Sequence, residues 1–393
     1  MVAVTLRVTS PRCLTTRLWA HHAERDGYRG SMKSRMLIKR LALSAGALVA
    51  VSLALEAAAR FYYWFGGAPL AIPYNAPDAA WKAEWVARHV RTNIDVTYGY
   101  DQYDERLGWS LRPNLRELRC DGQPAVTTNS RGLRDSREIP YAKRPGTRRI
   151  VVLGDSFTFG QNVEQDQAWP ACLQQSLPGW EVLNLAVHGY GTDQQCLMLQ
   201  AEGTKYQPDI VVLGFFVENA FRNVLAFRDY AKPLYVLRDG DLELTNVPVP
   251  RPSEIMADAR SEVPLSYAWH FLRRRWMGRY GSASFDTPST AENALRVTRA
   301  LLREIHRSSE KVHARLLVVV IPYDEFSPSR MVEEAVAECG RGDQFPVLNL
   351  RGPLRQAEAD TGTPMYDAHF TAAGHEATAE AVRGELLHLG WIE

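Results

Sequence analysis

Arg149-Ile150-Val151-Val152-Leu153-Gly154-Asp155-Ser156-Phe157-Thr158-Phe159-Gly160 is the stretch on which the reading of this chain turns. The apolar run Ile150 to Leu153 predicts a buried strand, and Gly-Asp-Ser ends it on a small residue followed by a hydroxyl. Open α/β sheets take their ligands beyond the carboxyl ends of the parallel strands. Ser156 is therefore expected at a ligand-binding edge, and the next question is what activates it.

A lone serine is a weak nucleophile; it needs a base within hydrogen-bond reach, and that base needs a third group to orient it. Near the far end, Tyr366-Asp367-Ala368-His369-Phe370-Thr371-Ala372-Ala373-Gly374-His375 places Asp367 two residues before His369, ahead of a segment with helical pattern. Residues two apart in extended backbone point the same way, so Asp367 is a candidate holder for a His369 base. Taken alone, such a pair reads equally well as structural; the Gly-Asp-Ser raises it. No Gly-x-Ser-x-Gly surrounds Ser156, so the nucleophile elbow of α/β-hydrolases is not supported. No GxGxxG follows the strand and Asp155 would repel phosphate, which argues against a flavodoxin-like nucleotide binder.

Working outward, strand and helix patterns alternate. Strands are expected at 180–187, 209–216, 315–321 and 346–350, with helices from Asp166, over Asp193 to Glu202, and up to Ile305 behind the capping-box pair Ser289 and Glu292. Such alternation with right-handed crossovers implies a three-layer α/β/α, doubly wound parallel sheet of flavodoxin-like type. This topology brings the carboxyl ends of the strands, Ser156 among them, to one edge.

Gly154-Asp155-Ser156 after the first strand, Asn184-Leu-Ala-Val-His-Gly189 after the second, Asn219 after the third and the late Asp367-Ala-His369 resemble the four blocks of the SGNH or GDSL hydrolase family. The resemblance runs from about Arg149 to the C-terminus. It implies the SGNH hydrolase fold, with Ser156 as nucleophile, His369 as general base and Asp367 as its partner. The Ser156 amide, Gly189 and Asn219 would then bind the oxyanion, the preorganised arrangement that usually carries the largest catalytic term. The implied activity is a serine esterase that cleaves an acyl ester, O-acetyl included, through an acyl-enzyme. An O-acyltransferase is the alternative if a sugar hydroxyl replaces water.

Two departures from the family pattern stand out. Val217-Glu218-Asn219-Ala220 replaces the family's Gly-x-Asn-Asp, and one residue fewer separates Asp367 from His369 than in Asp-x-x-His. The altered loop keeps a second class open, a catalytically degenerate carbohydrate-binding or scaffold protein. With no CxxC and no HExxH, neither a metal site nor a cofactor is indicated.

Lys33, Arg35, Lys39 and Arg40 precede Leu41 to Leu55, which carries no charge, and Glu56, Arg60 and Phe61-Tyr62-Tyr63-Trp64-Phe65 follow. A helix from Leu41 to Phe65 would measure about 37 Å, enough to cross a bilayer. Glu56 and Arg60 stand four apart in the favourable order, and the aromatic cluster suits an interface. A transmembrane signal anchor over 32–66 is the first reading. A cleaved signal peptide using Ala57-Ala58-Ala59 and a buried helix are the alternatives. Basic residues ahead of the span predict an outer-face (periplasmic or extracellular) catalytic domain. Residues 1–31 show no clear period and are expected to be a non-structured or mis-started leader, with translation beginning at Met32 or Met36.

The remaining organisation is an arm over 67–147 and a catalytic domain over 148–393 that carries a cap insertion at about 221–288. The arm is expected to pack on the sheet, with turn and salt-bridge roles for Asn129 and Arg131. The insertion contains a hairpin at Leu234 to Leu244 with Asp239-Gly240 at its turn and an amphipathic helix around Leu265 to Trp276. Its aromatics Tyr230, Tyr235, Tyr267, Trp269 and Trp276 read either as a small core of their own or as sugar-stacking platforms.

At 393 residues, 46% hydrophobic, 23% charged and net +1, the chain is long enough for a sizeable core and offers no electrostatic case for nucleic acid. Arg273-Arg274-Arg275 reads first as a solvated helix face, with an anionic ligand site as the alternative. Cys120, Cys172, Cys196 and Cys339 are even in number and read either as disulfides or as buried free thiols. An acylated small molecule, glycan or envelope lipid is the expected substrate, with the membrane as a partner through the N-terminal helix. Nothing in the sequence specifies an oligomer.

Overall fold

The strands of this chain are short runs of β-branched and other apolar residues, and the runs without a polar interruption are the ones buried on both faces. The structure is a computed structural model and describes residues 15–64, 78–89, 96–120, 123–261, 266–269, 271–272, 288–324 and 328–393. The chain divides into two compact units, Met1–Ala68 with Pro264–Arg275, and Pro69–Val263 with Trp276–Glu393.

The first unit is built on one helix, α1 (Thr15–Trp64). The segment expected to be non-structured up to residue 31 is helical from Thr15 onward, and no break marks Met32. Within α1, Met36–Tyr62 is long and apolar enough to cross a membrane, and its most apolar stretch has no buried residue. Leu41, Leu43, Leu48 and Leu53 stand exposed along it. Glu56 and Arg60 pair at 2.9 Å, as their spacing predicts.

The second unit opens with α2 (Asp78–His89) and an antiparallel pair, β1 (Asp101–Asp104) and β2 (Gly108–Leu111). The β2 residue Trp109 is fully buried in the main core, and its indole Nε1 donates to the His188 carbonyl at 3.0 Å. Arg134, also buried, donates to the carbonyls of Phe159, Gly160 and Val163. The arm thus packs against the elements that carry the site. Asn129 plays the expected turn role, accepting from the amides of Arg131 and Leu133, while Arg131 lies over the Tyr141 ring.

Next come β3 (Arg148–Leu153), α3 (Ser156–Phe159), α4 (Trp169–Ser176), β4 (Trp180–Asn184), α5 (Thr192–Ala201), β5 (Ile210–Phe216) and α6 (Asn219–Arg222). After a hairpin, β6 (Leu234–Arg238) with β7 (Asp241–Thr245), the chain forms α7 (Pro252–Ser261) and α8 (Pro288–Glu310). It ends with β8 (Arg315–Ile321), α9 (Ser329–Asp343), β9 (Val347–Asn349), α10 (Arg351–Thr361), the short pair β10 (Tyr366–Asp367) and β11 (His369–Phe370), and α11 (Ala372–His388).

Five strands make one parallel sheet in the order β4-β3-β5-β8-β9. The order reverses direction between β3 and β5, the switch point at which a doubly wound sheet opens a crevice at its carboxyl edge. The fold is the expected three-layer α/β/α sheet. The second strand is shorter than expected, because Asn184 turns its side chain back to accept from the Ala186 amide and starts the loop three residues early.

The insertion is not a single cap. Phe221, Phe227 and Tyr230 belong to the main core. Lys232 is fully buried, paired with Asp193 and donating to the carbonyls of Arg222, Leu225 and Pro233. The hairpin forms at the expected turn and packs on α8. Tyr230 and Tyr235 are buried and serve as core, whereas Trp276 lies outside the described residues. Cys172, Cys196 and Cys339 are free thiols.

Gly154 at the end of β3 and Gly214 in β5 both face Thr158, and a Cβ on either would overlap its side chain. Gly154→Ala is expected to lower unfolding stability by about 1–3 kcal/mol through overpacking. Thr158→Ala in the same background is expected to restore part of the loss in a thermal-denaturation double-mutant cycle. Unchanged stability in Gly154→Ala would contradict this packing.

Candidate active site

Ser156 begins α3 directly behind Gly154-Asp155. Asp155 caps that helix, its Oδ1 accepting from the Phe157 amide at 3.0 Å. The Ser156 carbonyl accepts from the Gly160 and Gln161 amides, and Arg134 holds the carbonyls of the turn that follows. The nucleophile candidate is thus gripped from the sheet below and from the arm behind. Its side chain is almost buried, with 8% of the residue exposed.

His369 comes from β11, 213 residues later in the chain, and its Nε2 stands 2.9 Å from Ser156 Oγ. Ala368 takes a left-handed φ of 57° between β10 and β11, uncommon for a residue with a Cβ and a sparsely populated conformation of the kind found at functional sites. Phe157 packs on the imidazole at 4.9 Å between ring centroids. Burial, with help from the Arg222 cation, pulls the His369 pKa down from 6.5 to about 4, so the ring is neutral and able to accept a proton at ordinary pH.

Asp367 is the register partner of His369 across the β10–β11 pair. Its side chain is exposed and makes no hydrogen bond to the imidazole among the described residues. The chain therefore brings Ser156 and His369 together and leaves Asp367 beside them without the contact expected of a holder.

The three expected oxyanion donors lie on three loops at the sheet's switch point. Gly189 has a φ of 75° and Asp229 Oδ2 lies against the face where a Cβ would stand, so no other residue fits here without displacing that carboxylate. The backbone amides of Ser156 and Gly189 donate to no group among the described residues. Asn219, fully buried at the start of α6, has neither side-chain polar atom in a hydrogen bond of good geometry, although it lies close enough to Asp155 to favour that carboxylate. Three donors are thus free at the end of the sheet where Ser156 stands.

Beneath them runs a buried charge network. Glu218 pairs with Arg222 at 3.2 Å and Arg228 at 3.0 Å, Arg228 pairs with Asp229 at 2.7 Å, and Arg222 lies 3.9 Å from Asp155. Burial raises the Asp155 carboxyl to about 6, and Arg222 opposes a larger rise. Burial would also raise Glu218 and Asp229, but the two arginines outweigh it and hold both below the usual carboxylate range. The glutamate beside Asn219 in the altered block is thus held in ion pairs.

Sequence reasoning missed Arg222, Arg228 and Asp229 as parts of the site. Glu218 and Arg222 are four apart on a helix, a spacing that was there to be read; Arg228 and Asp229 carried no local signal. It also missed the loop support behind Gly189. His188 Nε2 lies 3.2 Å from Asp101 of β1, and Thr97 joins the same carboxylate. A separate cavity of about 520 Å³ between the arm and α4, lined by Arg119, Arg137, Glu164 and Gln174, contains none of the candidate residues.

The model of the GDSL-like Lipase/Acylhydrolase family matches residues 152–377. Similar solved structures include a lipase/acylhydrolase from Enterococcus faecalis, 15% identical at a TM-score of 0.38, covering 63% of this chain and 98% of its own. A catalytic mutant of an acetylxylan esterase from Geobacillus stearothermophilus is 14% identical at 0.37, covering 61% and 95%. The psychrotrophic esterase EstA from Pseudoalteromonas sp. is 11% identical at 0.36, covering 62% and 98%. No curated protein matches the chain.

The pKa of His369 sets the acid limb of activity. Only the neutral imidazole accepts a proton, so kcat/KM on an activated ester should rise with pH through about 4 and not through 6.5. Arg222→Gln should move that limb upward, and Asp155→Asn should remove any inflection near 6. A wild-type limb at 6.5 would contradict the buried, neutral base.

Proposed function

This chain belongs to the GDSL-like lipase/acylhydrolase family, a family of ester hydrolases, and from that membership we propose that it is a membrane-anchored serine esterase with Ser156 as nucleophile. The observation that carries the reading is the 2.9 Å contact between Ser156 Oγ and His369 Nε2, within the reach required of a nucleophile and its base. The same contact disfavours the degenerate-site alternative.

Ser156 Oγ attacks the ester carbonyl carbon while His369 Nε2 takes its proton. The carbonyl oxygen becomes an anion received by the Ser156 and Gly189 amides and the Asn219 side chain. Collapse of the tetrahedral species breaks the ester C–O bond, and His369 returns the proton to the leaving alcohol. Water, deprotonated by His369, then attacks the acyl-enzyme and releases the acid. A sugar hydroxyl in place of water gives acyl transfer by the same steps. Asp367 is assigned to the imidazolium that forms during each half-reaction. Its partner register with His369 supports the role.

The cellular setting follows from α1. Met36–Tyr62 serves as a signal anchor, and the basic residues before it keep the N-terminus inside, which leaves the catalytic unit on the outer face. Acylated glycans or lipids of the envelope are the substrates within reach there.

Ser156→Ala and His369→Ala are each expected to lower turnover of p-nitrophenyl acetate and of acetylated glycans by about 10⁴-fold or more, and Asn219→Ala to lower kcat by roughly 10²–10³-fold. Full turnover in Ser156→Ala would end the mechanism. Asp367→Asn should cost less than His369→Ala; equal activity to wild type would remove Asp367 from it.

A further inference from the structure

We infer that residues 266–269 and 271–272 of the insertion form a second membrane-contact element, fastened to the anchor helix by Glu56 and seated in the interface of a bilayer with acidic phospholipids. The inference rests on the reading of Met36–Tyr62 as a membrane span.

A carboxylate within such a span is costly unless it is partnered. Glu56 has four donors. Its Oε1 accepts from Arg60 Nε at 2.9 Å and from the Tyr267 amide at 3.0 Å, and its Oε2 accepts from Ser266 Oγ at 2.8 Å and the Ala268 amide at 3.0 Å. Ser266 Oγ also accepts from the Trp269 amide at 3.1 Å. The first amides of the helical turn at 267–269 are therefore capped by a side chain from a helix more than 200 residues away in sequence. Two ring contacts extend the joint, Arg60 over Tyr267 at 4.8 Å and Tyr62 edge-on to Phe271 at 5.4 Å.

Two apolar side chains of the segment are bare. Trp269 is 68% exposed and Leu272 is 55% exposed, beside a helix whose own apolar residues are exposed along its length. The Tyr62–Phe271 contact sets this segment beside Tyr62, at the end of the span. A tryptophan at that level, continuous with a membrane-spanning surface, suits the interface between headgroups and acyl chains. Directly after Leu272 the sequence runs Arg273-Arg274-Arg275, a charge that complements acidic headgroups. The occupant of this face is therefore lipid. The loop between β5 and β8 is tethered to the membrane at this point.

The test uses the full chain in nanodiscs, with a photoreactive phenylalanine analogue replacing Trp269 or, as a reference inside the span, Leu48. Both positions should crosslink to phospholipid. Glu56→Ala should reduce the yield at position 269 severalfold and leave that at 48 unchanged. Replacing Arg273, Arg274 and Arg275 by Gln should reduce the yield at 269 in phosphatidylglycerol discs and not in phosphatidylcholine discs. Crosslinking at 48 without crosslinking at 269 would overturn the inference and leave the anchor standing. An unchanged yield at 269 in Glu56→Ala would remove the fastening, and silence at both positions would overturn the anchor itself.

Discussion

Thr158 fits against the sheet only because two neighbouring strands present glycines to it, Gly154 at the end of β3 and Gly214 inside β5. That close approach lets the chain turn within two residues from a buried strand into α3, and the turn stands Ser156 at the carboxyl edge. The arm closes the same turn from behind through Arg134. With Ser156 fixed, the sheet order decides what surrounds it. The loops after β3, β4 and β5 deliver the serine, Gly189 and Asn219 to one crevice, and the last two short strands bring His369 to 2.9 Å.

The departure from the family's third block has a physical reading in the charge network. Val217 and Ala220 stand where the family pattern has glycine and aspartate, and Glu218, beside Asn219, pairs its carboxylate with Arg222 and Arg228. Buried ion pairs are a weak source of stability and lose heavily when one partner is removed. Here their consequence is electrostatic placement. Arg222 stands between Asp155 and Glu218 and helps keep His369 neutral, while Asp229 occupies the space beside Gly189 that only a glycine leaves open. The altered loop is thus built into the site.

Much of this was legible in the sequence because it depends on local pattern. Apolar runs marked β5 and β8 within a residue of their ends and β3 within two, and the Asp239-Gly240 turn marked the hairpin. Ser156, Gly189, Asn219 and His369 were legible as blocks behind strands. What escaped was set by tertiary contact. Asn184 shortened β4 with its own side chain; Lys232 found its carboxylate at Asp193, 39 residues away; and the charges of Arg228 and Asp229 have meaning only where the folded loop brings them to Glu218 and Gly189. The insertion was misread as one cap because its hydrophobic residues serve separate places, Tyr230 in the main core and Tyr267 against α1.

The central claim is that Ser156, activated by His369, is the group that takes the acyl chain. Its most direct test is intact-mass and peptide-mapping analysis of the full-length protein after reaction with a fluorophosphonate. The account predicts one phosphonyl adduct, on the peptide carrying Ser156, formed rapidly by wild type and at a strongly reduced rate by His369→Ala. No adduct under conditions that label other serine hydrolases, or an adduct on a different serine, would contradict it.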